Sequence, residues 1–302
     1  MTGEVVARGT RFPLRATGRV YSTHDRAINV AVDGRDDLTA LIIDPADMTV
    51  ASLCIRPTTA CRSGILPSVA RGESVSIGAT RIQIGNAPID LTGTPPSPFT
   101  GEIARAGAVV ARRISATLPA LLSAIAAEGA GAGFTPIAAA IARTDAFAKP
   151  LSDGGPFAAA AWDALGQAGR PCRAVPAGLI GLGEGFTPSG DDFVVGFLAT
   201  RRLLGADGPG ADSASNAATV RDRLSTTTRP GASLLLHAID GCFPTYLCTF
   251  AASFAELLAE SEAEASGIAT RVRGIVAAAA THGASSGLDA LTGFAYALMT
   301  EL

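Results

Sequence analysis

The sequence predicts an α+β protein. A small, mostly antiparallel β domain over residues 1–92 precedes a larger, alanine-rich, all-α domain over 102–302, with a proline-rich linker at 93–101. Three observations carry this reading. Only 11 of the 59 alanines lie in the first hundred of the 302 residues. Short alternating or β-branched runs recur before residue 92. Pro95, Pro96 and Pro98 crowd three ring-locked residues into four positions, which neither a helix nor a central strand tolerates.

Each element has its own warrant. Residues 18–22, 27–32, 38–43, 74–77 and 80–84 read as strands, because β-branched side chains alternate there between turn signals. The last two flank Gly78-Ala79, and Val75 and Ile77 share one face with Ile82 and Ile84 across the turn, a hairpin pattern. Beyond the linker, apolar residues at helical spacing mark 102–127, 136–147, 155–168, 190–204, 212–228, 231–239, an interrupted 245–280, and 286–300. Alanine is the best helix former and lets helices approach closely, so a compact bundle is expected. The glycine-rich stretches 129–133 and 205–210 read as connections.

Composition excludes several chemistries. The one lysine, Lys149, lies in Phe-Ala-Lys-Pro with no glycine-rich run before it, so a Schiff-base lysine, a pyridoxal-phosphate anchor and a GxxxxGK[ST] phosphate loop are ruled out. A formal charge of −3, no basic stripe and a single tryptophan argue against nucleic acid as a partner. No run is long and apolar enough for a membrane helix, and residues 1–20 lack the apolar core of a secretory signal. Five cysteines without CxxC spacing suit a reduced compartment and small buried roles. A cytoplasmic location follows.

The most informative run is Gly181-Leu-Gly-Glu-Gly-Phe-Thr-Pro-Ser-Gly-Asp-Asp-Phe193. Pro188, Ser189 and Asp192 form a capping-box pattern, with Ser189 at the N-cap and a carboxylate at the third helical position. Capping leaves Gly183, Gly185, Thr187, Gly190 and Asp191 unexplained. Bare amides at a helix start favour small anions, and Asp191 with Asp192 would offset an anion by holding a cation such as Mg²⁺ between them. The bland alternative is a well-capped helix after a flexible loop.

A second run repeats the first. Ser189-Gly190-x-Asp192-xxx-Gly196-Phe197 aligns with Ser286-Gly287-x-Asp289-xxx-Gly293-Phe294 at every fixed position. A glycine one turn after each aspartate admits another backbone against that face. Two similar helix starts are therefore expected to meet at one site, with Ser286 and Asp289 from the second. His282 opens that run as a candidate for proton transfer. His24, between two strands, is a candidate ligand contact, whereas His237 on an apolar helix reads as a core side chain. Arg229, in Ser225-Thr-Thr-Thr-Arg-Pro-Gly-Ala-Ser233, offers a planar fork for carboxylate or phosphate. No HExxH pattern is present.

The runs GLGEGFTPSGDDF (181–193), TTTRPGASLLLHAIDGCF (226–243) and HGASSGLDALTG (282–293) resemble a bacterial family long catalogued as a domain of unknown function. Its members include the small subunit of the oxamate carbamoyltransferase of anaerobic allantoin degradation. Phe186 stands where the family prefers leucine, and Ser285 where it often has threonine. The resemblance implies carbamoyl exchange between oxalurate and phosphate, giving oxamate and carbamoyl phosphate, in an enzyme built from several subunits. On this reading His282, Asp192 and Asp289 are catalytic. Gly183, Gly185, Thr187, Ser189, Gly190, Asp191, Arg229, Ser286 and His24 hold a small anionic metabolite, with Mg²⁺ at Asp191 and Asp192 as the one cofactor to consider. The partners are other subunits or further copies of the chain. Two alternatives stand beside it: a non-catalytic assembly or regulatory subunit, and a Mg²⁺-dependent phosphotransferase or hydrolase.

Overall fold

The structure, a computed structural model, describes residues 2–57, 69–93, 98–106, 111–129, 131–143, 151, 155–167, 173–205, 211–260 and 267–302. Lys149, Cys61, Cys172 and two of the linker prolines, Pro95 and Pro96, lie outside the described residues. The chain divides into two compact units, Met1–Gly101 and Glu102–Leu302.

The first unit is a β-barrel. Its strands are β1 (Thr2–Gly9), β2 (Ala16–His24), β3 (Ala27–Val32), β4 (Leu38–Ile42), β5 (Ser52–Pro57), β6 (Ser74–Ile77), β7 (Arg81–Ile84), β8 (Ala87–Thr92) and β9 (Pro98–Phe99). The order β5-β4-β3-β2-β6-β7-β8-β1 closes on itself through a β1–β5 pairing, and β9 adds to the end of β1. Most neighbours are antiparallel; β4–β5 and β8–β1 are parallel. The expected hairpin forms in the expected register, with Val75 opposite Ile84 and Ile77 opposite Ile82. Those four side chains join Val20, Ile28, Val30, Leu41, Leu53, Ile55 and Ile89 inside the barrel. Closure removes the free sheet edges that would otherwise template aggregation. Within the expected linker, Pro98 and Phe99 are themselves a strand, at a barrel margin where a missing N–H is tolerated.

The second unit is helical. Its helices are α1 (Ala111–Gly129), α2 (Thr135–Ala142), α3 (Pro156–Gln167), α4 (Ser189–Leu203), α5 (Ala211–Arg223), α6 (Arg229–Ile239), α7 (Thr245–Ala259), α8 (Ile268–Ala280) and α9 (Ser286–Met299). Two expected spans end differently. Residues 102–106 are extended, because Glu102 bridges the Cys242 backbone and Ala106 N–H donates to Leu203. The helix expected over 212–228 stops at Arg223 and tightens into a 3₁₀ turn at Leu224–Thr226.

The centre of this unit is α4 against α9. Both are buried almost all round, which marks interior helices. Phe193, Phe197, Phe294 and Tyr296 pack between them and their neighbours, ring against ring, Phe193 and Tyr296 with centroids 5.6 Å apart. α1, α2, α6, α7 and α8 surround this pair. No helix among the described residues is long and apolar enough to cross a membrane.

Candidate functional site

α4 and α9 begin in the same way. Gly190 N–H donates to Leu182 O at 2.8 Å, and Gly287 N–H to His282 O at 3.1 Å. A Cβ on Gly190 would lie 1.8 Å from Leu179 O, and one on Gly287 2.0 Å from Ala279 O, so neither position accepts a side chain. Leu179, Leu182 and Gly183 of the first start thus correspond to Ala279, His282 and Gly283 of the second. Between that glycine and the serine the first start has three additional residues.

The local geometry corrects one expectation. Pro188, not Ser189, is the N-cap of α4, and no side chain caps it; Ser189 is already helical and Asp192 is the fourth helical residue. Ser285 takes the same place before α9, again without a side-chain cap. The capping box fails because the hydroxyls and carboxylates have other partners. The amides of Gly190, Asp191 and Asp192 are spent on Leu182 O and Pro188 O, so these three are not bare donors for an anion.

Those other partners cross between the two helix starts. The Ser286 hydroxyl of α9 lies close enough to the Asp192 carboxyl of α4, and the Ser189 hydroxyl of α4 to the Asp289 carboxyl of α9, to oppose the rise of each carboxyl's pKa. Thr187 Oγ1 donates to Asp192 Oδ2 at 3.1 Å and lies 3.2 Å from Ser286 Oγ. Asp289 Oδ1 accepts Phe134 N–H at 2.6 Å, over a backbone that only Gly133 can supply, since a Cβ there would sit 2.2 Å from that oxygen. Asp289 Oδ2 is buried without a hydrogen-bond partner among the described residues.

Asp191 faces elsewhere, because successive helical residues diverge by roughly 100°. Its Oδ1 accepts Gly181 N–H at 2.8 Å and its Oδ2 accepts the Thr227 hydroxyl, while Gly231 leaves room for it. Asp191 and Asp192 are therefore held by separate partners. Among the described residues no group of three or more His, Cys, Asp or Glu is arranged to hold a metal.

Burial dominates the electrostatics. It pushes Asp191 and Asp289 each up to about 6, against the donors that would lower them. Asp192 is driven well above the usual carboxylate range, first by burial and then by the charge of Asp289. All three carboxyls are closed off from solvent. Thr187, Ser189, Ser286 and His282 are half-buried and form the accessible layer in front of them.

Two side chains in that layer were not legible in sequence. Tyr246, near the start of α7, stacks on His282 with ring centroids 4.0 Å apart and planes 20° from parallel. Its hydroxyl is raised well above the usual tyrosine value by burial and then by Asp192 and Asp289. In sequence Thr227 reads only as part of a hydroxyl-rich turn. In that turn the threonines do the joining: Thr227 holds Asp191, Thr228 caps α6 and donates to Phe186 O at 2.8 Å, and Thr226 O abuts Gly181. Arg229 is the half-buried first residue of α6. Gly185, in the left-handed region, and Glu184 and Phe186 beside it are exposed.

His24 ends β2 in the barrel unit and is exposed. His237 is buried within α6. A small cleft among Leu198, Arg201, Asn216 and Phe243 contains none of the candidate residues. There Arg201 pairs with Glu301 and Asn216 accepts Val175 N–H.

Taken alone, the fold and site define a β-barrel unit joined in sequence to a helical unit whose centre is a duplicated Ser-Gly-x-Asp helix start. Residues 179–298 match the family described as oxamate carbamoyltransferase subunit AllH, the family that the three motifs resemble. The matched segment contains both helix starts. No curated protein and no solved structure matches the chain.

Proposed function

We propose that the paired starts of α4 and α9 form a site for a small carbamoyl- or carboxylate-bearing metabolite, and that the chain acts in carbamoyl transfer as a subunit of an oxamate carbamoyltransferase. The observation that carries this reading is the Thr187 hydroxyl, which joins Asp192 of one motif copy to Ser286 of the other in the half-buried layer. The family match over 179–298 supports the reaction class.

The residues suit the chemistry. In the exchange, a phosphate oxygen attacks the carbamoyl carbon of oxalurate, the carbon–nitrogen bond breaks, and the departing oxamate nitrogen takes a proton. The Ser286 hydroxyl can donate to the oxygen that gains charge on the carbamoyl carbon, while Thr187, whose hydrogen goes to Asp192, keeps lone pairs that can accept from the carbamoyl NH₂. Asp192 accepts from Thr187 and so fixes where that hydroxyl lies. His282 is the group able to give the proton. Since the amides at the start of α4 are occupied, hydroxyls take the anion-holding role that sequence assigned to bare amides. The reading needs no metal.

One observation favours the assembly-subunit alternative. Asp191 and Asp289 each serve as acceptors for a backbone amide, Gly181 and Phe134, which is a packing duty.

Thermal unfolding with carbamoyl phosphate, phosphate or oxamate separates the two. A ligand that binds only the folded chain must stabilise it, by about 2.7 kcal/mol at a hundred times its Kd. The enzymatic reading expects a rise in Tm that Thr187→Val and His282→Ala abolish. No rise with any of the three would leave the packing role standing.

A further inference from the structure

We propose that Tyr246 is a positioning residue of this site, fixing the plane of the His282 imidazole by stacking so that its proton is delivered in one direction. The inference rests on the reading of α4 and α9 as the site, and it adds a third helix start, that of α7, to the two already described.

Four observations support it. First, the ring contact is close and nearly parallel, with centroids 4.0 Å apart and planes at 20°. A flat neighbour at that distance restricts rotation of the imidazole about its last torsion, which is otherwise broad. Second, the fold itself does not need a histidine there. Leu182 occupies the corresponding place before α4 and supplies the same carbonyl to the same helical glycine. The backbone duty of position 282 is therefore met by an apolar residue in the other copy, and the imidazole is additional to it.

Third, the two helix starts share one half-buried serine each but differ in the other half-buried groups beside it. What they share is Ser189 with Ser286, Gly190 with Gly287, Asp192 with Asp289, and Gly196 with Gly293, the glycines admitting close backbone contact. What they do not share is Thr187 in one and His282 with its stacked Tyr246 in the other. Fourth, Tyr246 lies within the electrostatic reach of both Asp192 and Asp289, which keeps its hydroxyl neutral and its ring a constant partner for the imidazole.

The test uses the full chain and three variants: Tyr246→Phe, Tyr246→Leu and His282→Gln, the last to assign the His282 ring signals among the three histidines. In proton–carbon NMR spectra the wild-type His282 ring protons are expected to show the upfield displacement of a stacked ring. Tyr246→Phe retains it and Tyr246→Leu loses it. In the assembled enzyme, carbamoyl transfer by Tyr246→Leu falls about tenfold in kcat with KM changed less than twofold, and Tyr246→Phe restores it to within twofold of wild type. If His282 signals are the same in wild type and Tyr246→Leu, or if kcat is unaffected by the leucine, the proposal is wrong. Should the wild type show neither transfer nor ligand stabilisation, the functional reading fails on its own terms. The ring signals would then still decide whether Tyr246 holds His282.

Discussion

Gly196 and Gly293 make the same contact from opposite sides of one helix pair. A Cβ on Gly196 would lie 1.7 Å from Ala290 O, and one on Gly293 1.9 Å from Phe193 O. Ala290 and Phe193 are the residues that follow Asp289 and Asp192. Each glycine therefore seats the turn that carries the other helix's carboxylate, and Thr200 adds a hydroxyl bond to Phe294 O at 3.0 Å across the same face.

Gly196→Ala and Gly293→Ala should each destabilise the helical unit by about 3 kcal/mol or more, because rigid backbone, not a flexible side chain, fills the space. Gly274→Ala on α8 meets nothing within 4 Å and should be neutral or stabilising by about 0.4–1 kcal/mol. Urea unfolding of the three variants checks both statements, and equal midpoints would refute the seating argument.

Thr187→Val removes the hydroxyl that Asp192 Oδ2 accepts. A buried acceptor losing a partner costs roughly 1–3 kcal/mol, and Thr187→Ser should recover most of it. Chemical denaturation of wild type and both variants gives the comparison.

The stability of the helical unit should carry a pH signature from Asp289. Its folded pKa is about 6 against 3.8 for the unbonded group. Between these values the folded chain binds more protons than the unfolded one. The stabilisation is therefore complete below pH 3.8 and is lost as pH rises through 6. Asp289→Asn keeps an acceptor for Phe134 N–H without the titration. Relative to this variant, wild type should lose stability between pH 4 and 6 and run parallel above 7. A constant difference across that range would show that Asp289 is not raised.

Arg201 and Glu301 form an ion pair at 2.9 Å with the arginine side chain only 4% exposed. Glu301→Gln takes the carboxylate charge away from a buried guanidinium and should cost up to about 3–5 kcal/mol. Arg26→Ala breaks surface pairs with Asp44 and Asp47, where the arginine is 56% exposed, and should change stability by about 0–1 kcal/mol. Thermal unfolding of both variants tests the contrast.

Much of the fold was readable because its causes are local. Alternation of Val75, Ile77, Ile82 and Ile84 predicts a hairpin whatever the rest of the chain does. Alanine content separates the strand-rich stretch from the helical one. Repetition of Ser-Gly-x-Asp-xxx-Gly-Phe was visible in one dimension, down to the glycine that admits a backbone.

The remainder depended on partners distant in sequence. Barrel closure needs β1 to find β5, some fifty residues away, and no local pattern announces that. Ser189 reads as a cap by spacing, yet it turns to Asp289 because α9 lies within reach and its carboxylate is buried. Asp191 and Asp192, adjacent in sequence, part to Thr227 and Thr187 because a helix rotates each residue away from the last. Tyr246 carries no motif and enters only through its stacking on His282. Read in one dimension, the residues show which motif repeats, where the hairpin over 74–84 lies and that the alanine-rich stretch is helical, while the strands at Thr2–Gly9, Ser52–Pro57 and Ala87–Thr92 show only in the folded chain. Only the tertiary structure decided which hydroxyl serves which carboxylate, since hydrogen bonds and burial depend on distance in space.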